Sequence, residues 1–506
     1  MPIINFSIDL HAHPNYKAFA RAFRDDSDAP DAQSTSPSHP NSLWFYNPPS
    51  IVDKAINKML GVTKFSQANL TAALYGRVMV IVVGLGTTEK YFFRPKGGDD
   101  LIEDLVVDFA SGFKMPRINA LQAMQDYWPD FMQENDYLLE MHDKPVRIDG
   151  HWYAYRWVNH FEELAACRAQ NEHDMAGQKK DHPLVVALIP SIEGLHVLGT
   201  GTERSFEEEE IIQRTLLLKQ LPNAPWFVTF SHHFYNHLCG HARSLRGVIG
   251  KMANQEEGIN AGFTPLGLKV LRLLLDETRG RRILIDIKHM SAEARKTFIQ
   301  MRRHEYSESF PIIISHGVAN GLPHLGATVS QYPQLGNQFI QALEDEVGGD
   351  GAFKDHNLIN FFDEEIIEMV KSNGIMGLQL DERRLANDQT IKGTKDPIWR
   401  HKAMHYRSEL LWKQIQYIGE LLDANNMYAW GHLAIGSDYD GIVDPLNSFW
   451  TMEQYDELAG YLERHAYNYF DKQSSRLRNG FNIIGPDQLI QQIFCDNAWN
   501  FFKRWF

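Results

Sequence analysis

The chain has 506 residues, of which 43% are hydrophobic and 23% charged, and its formal net charge is −14. That acidity, with no Lys/Arg-rich run, excludes nucleic-acid binding through a basic face. The longest apolar run, "VMVIVVGLG" (78–86), is less than half the ~20 residues a membrane-spanning helix needs, so no membrane partner is expected.

Three widely spaced cysteines, Cys167, Cys239 and Cys495, form neither a CxxC pair nor an even-numbered framework. A disulfide scaffold and a zinc ribbon are disfavoured, and a reducing, cytoplasmic setting is the simplest expectation. The N-terminus has no basic stretch followed by an apolar one, although a chain trimmed of its signal peptide would read the same.

In chain order, eight short apolar, β-branched runs punctuate the sequence. They are "INFSIDL" (4–10), "VMVIVVGL" (78–85), "PLVVALIPSI" (183–192), "WFVTFS" (226–231), "RILIDI" (282–287), "PIIIS" (311–315), "GIMGLQL" (374–380) and "HLAIGS" (432–437). Strands buried on both faces read as continuous apolar runs. Helical patterns lie between them. "TPLGLKVLRLLLDE" starts with Thr264 as N-cap and Pro265 at the first helical position. "DEEIIEMVKSNG" starts at Asp363 with acids in its first turn and ends with Gly374 as its C-terminal cap.

Eight buried strands alternating with helices predict a (β/α)8 barrel over residues 1–506, with a doubly wound open sheet as the alternative. Segments 14–75 and 86–180 read as insertions after the first two strands, candidates for a lid. "RDDSDAPDAQSTSPSHPNS" (24–42) reads as a mobile loop, and "EEEE" (207–210) as the acidic first turn of a surface helix.

The residues that carry chemistry sit where these strands end. His11 and His13 lie two apart, and residues i and i+2 of a strand point to one side; in barrels the strands' C-terminal end is the active-site face. Glu193 closes the third run, His232 follows the fourth, His289 the fifth and His316 the sixth, and Asp438 follows the eighth. A lone HxH is weak in a chain with 22 histidines. Five imidazoles and two carboxylates at one end of six strands are poorly explained as satisfied core residues.

Imidazole nitrogens and carboxylate oxygens are zinc's preferred non-thiolate ligands. A carboxylate that bridges two cations permits a pair about 3.5–4 Å apart, which clamps a hydroxide and polarises a carbonyl. A free carboxylate beside them can pass the proton to a leaving amine.

Several segments together resemble the membrane (renal) dipeptidases and their bacterial relatives in the amidohydrolase superfamily. They are "SIEGLH", "VTFSH", "FTPLGLKVLRLLLDE…ILIDIKHMSAEA", "PIIISHG", "INFFDEEI", "HLAIGSDYDGI" and the C-terminal "LIQQIFCDNAWNFF"; "LIDIKHMS" and "IGSDYDG" are the most specific. The resemblance implies a binuclear metal-dependent amidohydrolase with two divalent ions, Zn2+ first, acting on a small-molecule substrate. It implies His11, His13 and Glu193 on one metal, and Glu193, His289 and His316 on the other. It makes His232 the donor to the developing oxyanion and Asp438 the proton shuttle. Asp286 reads as a ligand-orienting or a structural carboxylate, and Asp440 as support for the loop backbone after the eighth strand.

Two departures bear on the substrate. His11-Ala-His13 stands where the family usually has His-x-Asp, which makes the site more positive by about one charge. "SHGVANG" offers no Arg after His316, where the family clamps a terminal carboxylate, a bidentate task to which Lys is poorly suited. An ester or lactone is therefore an alternative to an amide. "SHHFYNHLCGHA" adds His233, His237 and His241, which read as structural or pocket-lining, the last two at helical i, i+4 spacing. A binding protein on the same scaffold, and a phosphoesterase or sugar-acid isomerase, are the competing classes. Self-association is left open by the sequence.

Overall fold

The computed structural model describes residues 5–23, 29–60, 63–93, 112–177, 183–245, 253–307, 309–325, 327, 359–386, 388–394, 399–442, 444–471 and 476–506. All eight apolar runs form strands, and all eight pair in parallel. They are β1 (Ser7–Ala12), β2 (Val78–Leu85), β5 (Leu184–Glu193), β6 (Phe227–Thr229), β7 (Leu284–Asp286), β8 (Ile313–Gly317), β9 (Ile375–Leu378) and β10 (Leu433–Ile435). Their order around the sheet is β1-β2-β5-β6-β7-β8-β9-β10, and β10 returns to β1 with Asp9 beside Ile435. The sheet is therefore a closed eight-stranded barrel, and the open doubly wound alternative does not apply. Continuous apolar runs were required because interior side chains and surrounding helices cover both strand faces.

An unexpected hairpin, β3 (Val146–Ile148) with β4 (His151–Trp157), lies inside the second insertion. β4 pairs in parallel with the first half of β5 (Tyr153 with Leu184), on the edge whose second half β6 takes (Ser191 with Phe227). It runs from exposed His151 and Trp152 to buried Ala154, Tyr155 and Trp157, so it lacks the solid apolar signature of the barrel strands.

Local punctuation explains the helices. Thr264 Oγ1 accepts from the Gly267 N–H at 3.0 Å, and Pro265 opens the helix Pro265–Leu275, a cap worth about 1 kcal/mol. Val270, Leu271, Leu274 and Leu275 form its buried face. The helix Asp363–Lys371 carries three acids in its first turn, as expected, but its end differs. Asn373, at φ 53°, takes the left-handed position that Gly374 was expected to fill. Gly374 lies one residue beyond, close against the Ile312 carbonyl. Asn tolerates that conformation because its short polar side chain adds little steric cost. Glu208–Glu210 form the first turn of Glu208–Gln220, and Glu210 pairs with Arg204 and Arg214, as a surface role requires.

Of the polar segment 24–42, residues 24–28 lie outside the described residues. The remainder is anchored: Gln33 is buried and donates to the Tyr137 carbonyl (2.8 Å) and the Tyr155 hydroxyl (3.2 Å). The C-terminal helix Asn497–Trp505 seals the barrel at the strands' N-terminal ends. Asn497 donates to the Trp430 and Leu433 carbonyls at 2.6 and 2.7 Å, and the Trp226 indole donates to the Trp505 carbonyl at 3.0 Å. The opposite mouth is left for the polar residues. Among the described residues, no helix is long and apolar enough to cross a membrane.

Candidate metal centre

Every strand-end residue singled out by the sequence meets at that mouth, with Glu193 at the middle. Its Oε1 lies 3.3 Å from His11 Nε2, 3.4 Å from His289 Nε2 and 3.6 Å from His316 Nε2. Its Oε2 lies 3.1 Å from His13 Nε2 and 3.5 Å from His232 Nε2. Asp438 faces the same space, with Oδ1 3.5 Å from His13 and 3.8 Å from His11, and Oδ2 3.6 Å from His316. Ligand atoms of His11, His13, Glu193 and Asp438 all lie within 4.8 Å of one another, as do those of Glu193, His232 and His289.

The backbone turns sharply to aim two of these groups. His289 and Asp438 adopt left-handed conformations, φ 64° and 60°, which a non-glycine residue holds only where its surroundings impose it. The His11 and His13 rings meet edge to face at 4.8 Å, and His11 stacks on His316 at 4.2 Å.

Hydrogen bonds behind the rings fix which nitrogen faces the centre. His13 Nδ1 is 2.8 Å from the Gly84 carbonyl, so Nδ1 carries the proton and Nε2 presents a lone pair. Ser315 Oγ donates to Asp286 Oδ2 at 2.6 Å and so accepts from His316 Nδ1 at 2.9 Å, which leaves His316 Nε2 in the same state. Lone pairs therefore converge on a carboxylate, an arrangement that repels unless positive charge lies between. Among the described residues, His11 Nδ1 and Nε2, His13 Nε2 and His289 Nδ1 have no hydrogen-bond partner despite their burial, and a buried polar atom without a partner calls for an explanation.

The spacings fit a divalent cation. His289 and His316 Nε2 are 3.3 Å apart. That is about the edge of a tetrahedron whose metal–nitrogen bonds are ~2.0–2.1 Å. Imidazoles and carboxylates are a donor set for divalent cations.

Charge coupling is strong. Burial opposes ionisation of Glu193, but the facing imidazoles, His232 foremost and then His11, hold its carboxyl well below the usual range. Burial disfavours the His13 cation, but Asp438 and Glu193 together outweigh that and push it well above the ordinary histidine value, so without a metal ion Nε2 holds a proton that a divalent cation would displace. Burial drives His289 and His316 well below it, so both rings are neutral and able to ligate.

The remaining expectations divide. Asp286 accepts from Thr229 Oγ1, Ser315 Oγ, Ser315 N and Lys288 N, so it is a structural carboxylate that also orients His316 through Ser315. Asp440 accepts from Ser66 Oγ, Gln67 N and Ala68 N and pairs with Lys17 at 3.1 Å, so the backbone it supports is in the first insertion and not, as expected, that of the loop after the eighth strand. His241 is held by the Ala242 and Glu257 carbonyls, and His233 by Ser244 Oγ at 2.5 Å. No helix spans residues 232–241, so the i, i+4 relation of His237 and His241 has no structural meaning; turns and isolated bridges fill that stretch.

Four residues near the centre escaped the sequence reading. Gly84 packs so tightly that a Cβ there would lie 2.5 Å from the His13 ring and 2.9 Å from the His11 ring. Gln379, just past β9, donates to Asp438 Oδ2 at 2.8 Å. Lys288 is fully buried, donates to Gln379 Oε1 at 3.3 Å, and is pushed down to about 7 by burial and then by the Arg384 cation. Glu89, in the segment after β2, lies 2.8 Å from His232. Gly84 and Gln379 lie within quoted apolar runs and Lys288 within "LIDIKHMS", whereas the stretch around Glu89 gave no local signal.

No protein-family model and no curated protein matches the chain. Among solved structures it is similar to a metallopeptidase from Rhodobacter sphaeroides bound to a phosphinate mimic of the dipeptide L-Ala-D-Ala. That match has 12% identity, covers 89% of this chain and 94% of the other, and has a TM-score of 0.46. It is also similar to a probable dipeptidase from Pseudomonas aeruginosa, with 14% identity, 87% and 88% covered and a TM-score of 0.42. A third similar chain is an amidohydrolase from the same organism, with 12% identity, 86% and 90% covered and a TM-score of 0.42.

Proposed function

We propose that the chain is a binuclear metal-dependent hydrolase of the membrane-dipeptidase type, within the amidohydrolase superfamily, that cleaves an amide bond in a small molecule. The observation that carries this reading is the convergence of imidazole lone pairs on one buried carboxylate at a barrel mouth. His11 and His13 would hold one divalent ion and His289 and His316 the other, with Glu193 common to both; Zn2+ suits the donors best. Such ions would supply Lewis-acid polarisation and a nucleophilic oxygen at neutral pH.

The chain's own residues do the rest. Asp438 takes the proton from the nucleophile at one carboxylate oxygen and delivers it to the leaving nitrogen, while Gln379 fixes the other oxygen. His232 faces the carbonyl oxygen as charge develops there. The buried mouth excludes bulk water, which strengthens each of these contacts. Gly317, Val318, Ala319 and Asn320 after His316 carry no cation, and for that reason esters and lactones belong in the same screen as dipeptides and N-acyl amino acids. We assign residues 1–506 to one barrel domain with 14–75 and 86–180 as insertions. The three buried, unpaired cysteines support a cytoplasmic setting.

Elemental analysis of protein purified without chelators, followed by substrate screening, tests the proposal. About two metals per chain, with turnover lost on chelation and regained on reloading, is the expected result. No metal after reconstitution would overturn it.

A further inference from the structure

The centre described above engages His232 only through Nε2; its other ring nitrogen faces a second buried carboxylate. Glu89 Oε2 lies 2.8 Å from His232 Nδ1, and Glu89 Oε1 accepts from the Phe234 N–H at 3.0 Å. Neither Glu89 Oε2 nor His232 Nδ1 makes an aligned hydrogen bond to any described residue. Two buried polar atoms of opposite character thus have only each other.

His196 stands beside them. Its Nε2 is 2.7 Å from the Thr87 carbonyl, its Nδ1 has no partner among the described residues, and its ring stacks over His232 at 6.0 Å. Glu89, His196 and His232 thus form a second group able in principle to hold a cation, and the spacing decides against it. Two ligands on one tetrahedral cation sit about 3.3 Å apart, as the His289 and His316 nitrogens do. The Glu89 Oε2–His232 Nδ1 separation is instead 2.8 Å, an ion-pair distance shorter than that edge, with the two atoms not aligned for a hydrogen bond. The first cluster is spaced for ions and the second for a proton.

We propose that Glu89 is a positioning residue: its carboxylate anchors the Nδ1–H side of His232 and thereby aims Nε2 at the reaction centre, 3.5 Å from Glu193 Oε2. The anchor links the ends of two strands that flank β5, because Glu89 follows β2 whereas His232 follows β6. Without it, rotation about the His232 side chain would withdraw Nε2 from the carbonyl oxygen. The kinetic part of this inference rests on the hydrolase reading; the spectroscopic part does not.

The test compares Glu89→Gln, Glu89→Asp, His232→Ala and the Glu89→Gln/His232→Ala double variant, all metal-loaded. Glu89→Gln is expected to keep the wild-type metal content and KM while kcat falls about 10–100-fold, the usual cost of losing an orienting partner. Glu89→Asp should recover part of that loss. In the His232→Ala background Glu89→Gln should cost nothing further, because residues acting as a unit are non-additive. The ring N–H signal lost in His232→Ala should also shift in Glu89→Gln, seen by NMR whether or not any substrate has been found.

An unshifted His232 signal would overturn the proposal. So would an additive loss in the double variant, which would mean Glu89 acts only through Phe234. A drop of one metal per chain in Glu89→Gln would overturn it in favour of a third cation site. If loaded wild-type protein turns over no amide, ester or lactone, the hydrolase reading fails, and the His232 signal alone still decides the role of Glu89.

Discussion

Two pairs of buried carboxylates share the barrel and are treated in opposite ways. Asp9 and Asp286 lie in β1 and β7, just before the first ligands of those strands. Asp9 accepts from His11 N, Ser437 N, Ser437 Oγ and the Tyr455 hydroxyl; Asp286 accepts from four donors in the same manner. Glu193 and Asp438, one layer nearer the mouth, face imidazole nitrogens at 3.1–3.8 Å, and several of those nitrogens have no hydrogen bond among the described residues. A carboxylate saturated by neutral donors has no capacity left for a cation. One ringed by imidazole nitrogens keeps oxygens that neutral donors do not saturate, even where Gln379 holds one oxygen of Asp438. The lesson is that burial and charge do not mark a functional acid; the identity of its partners does.

The comparison breaks most readily at Glu193. Glu193→Gln should lose metal and activity together, a fall on the order of 10³-fold or more if several kcal/mol of metal-derived stabilisation is lost; retained metal at two per chain would mean that Glu193 is not shared. Asp438→Asn is expected to keep its metals and lose roughly 10²–10⁴ in kcat, because an amide cannot take the proton. Asp438 stands as close to His13 and His316 as Glu193 does to some of its partners. Metal loss in that variant would therefore move it into the ligand set.

Gly84→Ala should weaken metal binding about 10–100-fold by displacing the His13 and His11 rings and the Gly84 carbonyl that orients His13; calorimetric metal titration measures it. Asp286→Asn tests the saturated pair. It replaces an acceptor by a donor opposite Ser315 and Thr229 and should cost about 1.5–3 kcal/mol of stability for each charged hydrogen bond lost. Denaturant unfolding should register the cost while metal stoichiometry holds at saturation.

The smallest effect is a pH slope. Burial depresses Lys288 to about 7 in the fold, while an unfolded lysine titrates near 10.4. Between those values the unfolded chain binds one more proton, so stability of the metal-free protein should rise with pH by up to about 1.4 kcal/mol per unit across that window. Lys288→Met should flatten it. An unchanged slope would show that Lys288 keeps its charge when buried.

Sequence alone determined the barrel strands and the strand-end residues. Both follow from short-range rules: a strand covered on both faces must be apolar throughout, and His11 and His13 must share a side because strand geometry repeats every two residues. The hairpin Val146–Trp157 escaped because it is short and half exposed. The left-handed cap went to Asn373 rather than Gly374 because either residue type can hold it, and helix length, set by packing, chose between them.

Only the tertiary structure decided the partners. Glu89 is 143 residues from His232, and Gln379 is 59 from Asp438. Asp9 finds Ser437 and Tyr455 only because β1 closes against β10. Local pattern records which way a side chain points. Ring closure brings distant strand ends within ångströms of one another, and that proximity decides which buried charge is satisfied by donors and which is left facing lone pairs that call for a cation.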